Sequence, residues 1–506
     1  MSMSKPNSPR MPLLMPDDFS ELHLTGWRVE NGTLDPQNPL LEGDMPWDDG
    51  GLGIHGSVIR DPIDETWKAY LVSTPAEEFV DNPAKPWASR NAIYRRLGYF
   101  ESSDGINWSR PELDIYPYEG HKKTNIVFDV TDGTTSYASL IIDPDNTEWP
   151  YEMYCLHENS VIGPPPDGYG YYRYQSKDGK RWEKVHGPIM EPMNGDLSFF
   201  YKDPDEGYMA YYRLAAERQE NDHVPVYEDC ARRSCFLATS KDGNTWVRDE
   251  GMSMTADERD HRDTQYQECV PHKVEGGYLA LVTMYLPITQ TLNIRMAASR
   301  DGRTWWYPDR RPCLDNAPLG DYGGGMIWQS QNLIPEGDQL HMYYGGCEGL
   351  HRQVFDTRAP SVQIGMDSVV DHGAHFLAHN AALCRASWRY DRMYALAPSA
   401  GGPTLGMAVT KERKLGGKAL HVNVVTRPAK KARLPEFQQG ALQVELLDSE
   451  DRPISGFTRT DCAPIVGDYR SGLVTWEGGD WAPESARKAK FYLNRAFLYG
   501  FEFIAP

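Results

Sequence analysis

Four copies of Ser-x-Asp-Gly-x-x-Trp constrain this chain more than any other feature. They read Ser102-Ser-Asp104-Gly105-Ile-Asn-Trp108, Ser176-Lys-Asp178-Gly179-Lys-Arg-Trp182, Ser240-Lys-Asp242-Gly243-Asn-Thr-Trp246 and Ser299-Arg-Asp301-Gly302-Arg-Thr-Trp305. The copies start roughly 60–75 residues apart, so one structural unit recurs along the chain. Asp-Gly between two strand-like runs marks a hairpin, because Gly takes φ > 0 without a Cβ clash. The Ser can bond the turn backbone, and the Trp can pack between adjoining sheets. These roles are structural and carry no chemistry.

A second repeat precedes each copy: an apolar strand, a turn, then an apolar-aromatic strand. It begins at Gly56 (GSVIRDPIDETWKAYLVS), Ala138 (ASLIIDPDNTEWPYEMYCL), Leu197 (LSFFYKDPDEGYMAYYRL), Cys269 (CVPHKVEGGYLALVTMY) and Gly325 (GMIWQSQNLIPEGDQLHMYYGG). Ala386 to Leu396 closes the fifth unit, with its Asp-Gly turn lost. About four short strands per unit is one propeller blade, so the expected fold is all-β, a five-bladed β-propeller. A single large sandwich explains the period less well.

The Pro- and Gly-rich Pro398 to Pro403 marks a boundary. Beyond it Leu420, Val422 and Val424 alternate with His421 and Asn423, and Leu442, Val444 and Leu446 with Gln443 and Glu445. Phe497, Tyr499, Phe501 and Phe503 form a last alternating run. Period-2 patterning with Gly, Asp and Pro turns reads as a β-sandwich. The expected domains are therefore a propeller over 1–398 and a C-terminal sandwich over 404–506. Two long polar segments, Leu214 to Cys235 and Gly349 to Asn380, interrupt the blade rhythm as rim loops or surface insertions.

The chain carries a net charge of −20 over 506 residues, and its nearest basic run, Arg427 to Arg433, is short. That argues against nucleic acid as a partner. No stretch approaches the roughly 18 apolar residues of a membrane span. The first residues lack the apolar core of a secretory signal, and the eight cysteines form no CxxC pair. A cytoplasmic location with reduced thiols is the expectation. No cofactor, phosphate loop, nucleotide fingerprint or metal-ligand pattern is legible. The sandwich or the long insertions offer a surface for a homo-oligomer.

The innermost strand of each blade lines the central channel, where a carboxylate early in the strand meets polar space. Counting seven residues back from each inner turn gives Asp196 in the third unit and Glu268 in the fourth. The second gives Ser136, the fifth gives Gln329 beside Trp328, and the first gives Ile54 beside His55. The nearest carboxylates of the first unit are Asp48 and Asp49, just after Trp47. Paired carboxylates across a pocket are what glycoside cleavage needs, one as proton donor and one as nucleophile or base. For each single Asp the structural alternative is a turn cap or an ion pair. His55, His261, His272, Asp260, Arg262 and Asp263 lie near these strands and can bind hydroxyls. The substrate-binding set is thus His55, Trp47, Gln329, Asp263, His272 and Trp328.

Gln267-Glu268-Cys269-Val270-Pro271 resembles the Glu-Cys-Pro motif of glycoside hydrolase family 32, the invertase and fructanase family. Asp196, followed by Leu-Ser-Phe-Phe-Tyr, is similar to that family's Arg-Asp-Pro strand, with Gly195 in place of the Arg. Families 43, 68 and 130 share the propeller. The resemblance implies Glu268 as general acid and Asp196 as transition-state stabiliser. The family's nucleophile motif, Trp-Met-Asn-Asp-Pro-Asn-Gly, is absent, and Trp47-Asp48-Asp49-Gly50 matches it only loosely. This places the chain in an outlying, family 32-like branch.

The expected activity is hydrolysis of a small glycoside, a furanoside such as a fructoside or arabinoside. Glu268 would be the acid, Asp49 or Asp48 the nucleophile or base. The rivals are a non-catalytic carbohydrate-binding propeller, and a sialidase-like or phosphorolytic enzyme. The second pair would need an arginine triad or a cationic phosphate site.

Overall fold

A computed structural model of the chain describes residues 11–75, 96–129, 134–158, 168–189, 198–215, 233–261, 264–350, 381–399, 405–427 and 439–506. The described residues are all-β apart from one short 3-10 turn, Pro16–Asp18. Each repeat found in the sequence is an antiparallel set of hairpins. Leu52–Arg60, Trp67–Ser73, Arg96–Ser102 and Trp108–Ser109 form the first sheet, with Ile126–Phe128 added to its third strand. Thr134–Ile142, Tyr151–Glu158, Gly170–Ser176 and Glu183–Ile189 form the second. Ser198–Asp203, Gly207–Ala215, Arg233–Ser240 and Val247–Met254 form the third.

The fourth and fifth repeats share a sheet. Gln265–Val274, Gly277–Leu286 and Thr291–Ser299 meet Met326–Glu336, Gln339–Cys347 and Ala381–Arg389 through the single parallel pair Leu292–Met326. Thr33–Leu34, from the start of the chain, is the outermost strand of the fifth repeat. The first strands of the repeats touch in a closed cycle: 52–60, 134–142, 198–203, 265–274, 326–336 and back to 52–60.

The repeated turns have the predicted chemistry. In all four copies the Ser hydroxyl donates to the Asp carboxylate at 2.9–3.0 Å. The same hydroxyl accepts the Gly N–H at 2.9 Å. Each Gly sits at a φ of 70–74°. Each motif Trp packs edge-on against a tyrosine of the neighbouring sheet: Trp108 on Tyr343, Trp182 on Tyr70, Trp246 on Tyr154, Trp305 on Tyr211.

Where the first strands converge, small polar side chains take the place of apolar ones. Gln331 Oε1 accepts the Ser57 hydroxyl and the Leu140 N–H, both at 2.6 Å. Its Nε2 donates to the Phe200 carbonyl. Ser330 Oγ accepts the Val58 N–H at 2.8 Å, and Ser139 Oγ accepts the Phe200 N–H at 3.1 Å. One carboxamide thus stitches strands of four repeats together, with its own polar atoms satisfied as deep burial demands.

Two further sheets pack around Leu420, Val422, Val424, Leu442, Val444, Leu446, Phe491 and Leu493. One holds Phe19–His23, Leu405–Thr410, Lys488–Asn494 and Ala441–Leu447. The other holds Thr25–Val29, Tyr394–Pro398, Ala496–Ile504, Ala419–Thr426 and Asp468–Leu473. Residues 19–29, assigned by sequence to the first domain, therefore pair with strands from residue 394 onward. Among the described residues no helix is long and apolar enough to cross a membrane.

Candidate active site

The Gln265–Val274 strand enters the cycle carrying Glu268, which is 2% exposed. A register slip between Tyr266 and Glu268 breaks the ladder there. Such bulges re-aim one side chain while the rest of the strand stays paired. Across the ladder stands Thr283, whose hydroxyl donates to Glu268 Oε2 at 2.8 Å. Gln329, on the Met326–Glu336 strand, donates its Nε2 to Thr283 Oγ1 and to the Leu281 carbonyl, each at 3.1 Å. The predicted pair Glu268 and Gln329 is thus brought together, one hydroxyl apart.

Burial pushes the Glu268 carboxyl up to about 8, against the opposing pull of Thr283, the Arg213 charge and the Gln329 backbone N–H. Desolvation disfavours the carboxylate more than these groups favour it. Near neutral pH the side chain is therefore a neutral acid with a proton to give, the state a general acid needs. Cys235 and Cys269 lie close by as buried thiols, pushed up by the same burial. They are unsuited to act as thiolates.

Cations surround this strand. Arg213 acts on both Glu268 and Cys235. Arg233 Nη1 donates to Gln267 Oε1 at 2.8 Å and lies 4.6 Å over the Tyr285 ring. Just upstream, the Asp260 side chain is a fully buried anchor on a partly exposed turn. It pairs with Arg295 at 2.6 Å and Arg310 at 2.7 Å. Among the described residues no group of three or more His, Cys, Asp and Glu side chains is placed to hold a metal ion.

Other expectations fare differently. Asp196 and Asp263 lie outside the described residues, as does the His55 side chain. Asp48 is fully buried but committed. Its Oδ1 accepts the Asp44 and Met45 N–H groups at 2.9 and 2.8 Å, and its Oδ2 faces Arg110 at 3.2 Å. Burial raises its carboxyl, with Arg110 and those N–H groups pulling the other way. This is the turn-cap and ion-pair role. Asp49 is half-buried beside it. Trp47 is buried, donates Nε1 to Asn125 at 2.7 Å and sets its ring edge-on to Tyr118. It braces the first sheet rather than offering a face to sugar. Trp328 is likewise buried, in the cluster of Tyr212, Tyr285 and Leu292. His272 is four residues past Glu268, about 13 Å along an extended strand. It lines a separate cavity with Met11, Leu13, Tyr390 and Tyr394.

Sequence reading missed Thr283 and Arg213. Thr283 had a signal. Counting outward from the Glu275-Gly276 turn, each step pairs one residue from either strand, and Glu268 meets Thr283. Arg213 had none, because its approach depends on how two sheets pack.

No family model and no curated protein matches the chain. Solved structures do resemble it. A β-1,2-mannobiose phosphorylase from Listeria innocua superposes with a TM-score of 0.47 at 15% identity, covering 72% of this chain and 98% of that one. A structure titled for family 130 mannoside phosphorylases and glycoside hydrolases that target β-1,2 mannosidic linkages gives 0.45 at 14%, covering 76% and 98%. A glycosyl hydrolase from Bacteroides ovatus gives 0.46 at 12%, covering 76% and 98%. None of the three carries a family 32, 43 or 68 name. At these scores the functional argument stays with the side chains.

Proposed function

We propose that the chain is a carbohydrate-cleaving enzyme, a five-bladed β-propeller with a C-terminal sandwich, using Glu268 as its proton donor. The observation that carries this is a fully buried carboxyl on a first strand of the cycle, pushed up to about 8 by burial and cradled by Thr283 and the Gln329 backbone N–H. A structural glutamate gains nothing from such a place, because burying an ionisable group costs stability, and groups shifted in this way cluster at functional sites. Glu268 would protonate the leaving oxygen of a small glycoside. Asp196 would stabilise positive charge at the anomeric carbon. Asp49, rather than the committed Asp48, would be nucleophile or base. Preference for a furanoside rests on the Glu-Cys-Val-Pro strand alone.

Arg213 supports a second reading. A cation beside the acid is what phosphate would need if phosphate, and not water, received the glycosyl group. A panel of furanosides and pyranosides, each incubated with and without inorganic phosphate, separates the readings. Free sugar formed independently of phosphate supports hydrolysis. Sugar 1-phosphate formed only with phosphate supports phosphorolysis. Sugar binding without turnover of any member would leave a carbohydrate-binding protein.

A further inference from the structure

Thr283, Gln329 and Glu268 form a directed chain of hydrogen bonds. Gln329 Nε2 lies 3.1 Å from the Leu281 carbonyl oxygen, which only accepts. That contact fixes which end of the carboxamide is nitrogen. The same nitrogen lies 3.1 Å from Thr283 Oγ1 and donates to it. A hydroxyl has one hydrogen. Among the described residues the acceptor available to Thr283 is Glu268 Oε2, at 2.8 Å. Thr283 and Gln329 are fully buried, so bulk water does not compete for that hydrogen.

We propose that Thr283 is a positioning residue which holds Glu268 Oε2 as a hydrogen-bond acceptor and so keeps the transferable proton on Oε1. This rests on Glu268 being the proton donor. Gln329, expected to bind substrate, instead orients Thr283 through its side-chain nitrogen. The two oxygens of the acid then differ, Oε2 accepting from Thr283 and Oε1 carrying the proton.

The test is an infrared pH titration of the neutral-carboxyl stretch, with glycoside turnover measured in parallel. The band assigned to Glu268 is the one lost in Glu268→Gln. Thr283→Val keeps the side-chain shape and removes the donor, so the midpoint should move up by about one pH unit. Thr283→Ser keeps the donor and should leave the midpoint where it is in the wild type. Thr283→Ala should repeat the Val shift if Val does not fold. An unmoved midpoint in Val and Ala, or an equal shift in Ser, would overturn the proposal. Turnover reports separately: full activity in Glu268→Gln removes the acid role, whatever the band does.

Discussion

Tyr343 donates its phenolic hydrogen to the Gly105 carbonyl at 2.7 Å, tying the last repeat to the turn of the first. The same bond recurs from Tyr70 to Gly179 at 2.7 Å, Tyr154 to Gly243 at 3.1 Å and Tyr211 to Gly302 at 2.8 Å. Each links one sheet to the Asp-Gly turn of the next. In the fourth repeat the equivalent position is Leu281, and the turn ahead of it, around Tyr390 and Asp391, has no glycine. There Asp391 takes the left-handed φ of 63°, and its carbonyl accepts Asn423 Nδ2 at 3.2 Å instead.

Removing the hydroxyl of Tyr343, Tyr70 or Tyr211 takes the tyrosine donor from a carbonyl, whereas the Gly243 carbonyl keeps Trp246 Nε1 at 3.2 Å when Tyr154 is changed. Tyr343→Phe should therefore cost about 1–2 kcal/mol, Tyr70→Phe and Tyr211→Phe similar amounts, and Tyr154→Phe less, because Trp246 still donates to Gly243. Denaturant titration of the four variants checks this. Costs near zero in all four would mean the rings alone join the sheets.

Gln331 joins strands of four repeats, so its loss should reach further. Gln331→Leu keeps the bulk but leaves the buried Phe200 carbonyl without its donor, and the cost should be about 2–4 kcal/mol. Calorimetry should show one lowered transition. A separate early transition would mean that the repeats melt independently of the axis.

Much of this was legible in the sequence, and the residues show why. Ser102, Asp104 and Gly105 act within four positions, so a local motif records their whole geometry. Glu268 and Gln329 shared a register because the first strands are equivalent by repetition. Asp48 misled because a cap and a nucleophile look alike until Arg110, 62 positions away, is seen against it. The last strand misled by one residue. Its ladder slips opposite Asn423 and Val424, so Leu498 and Phe501 enter the core while Phe497 stays half-exposed under Arg28. Phe497, Tyr499, Phe501 and Phe503 alternate in sequence but not in space.

Glu268 should also weigh on stability with a definite sign. Its carboxyl is held at about 8 in the folded chain, against 4.5 ordinarily. Between those values the folded state binds a proton that the unfolded state has released, so stability falls as pH rises through that window. Glu268→Gln removes the penalty. The variant should match the wild type near pH 4 and exceed it by about 2 kcal/mol or more at pH 9. A constant difference across that range would mean the carboxyl titrates normally.

The most direct measurement is kcat/KM of wild type and Glu268→Gln on one glycone bearing either a poor alkoxide or a good aryloxide leaving group. A proton donor matters in proportion to how badly the leaving oxygen needs the proton. The variant should lose about 10²–10⁴-fold on the alkyl glycoside and much less on the activated aryl one. Equal losses on both, or none on either, would contradict Glu268 as the acid of this site.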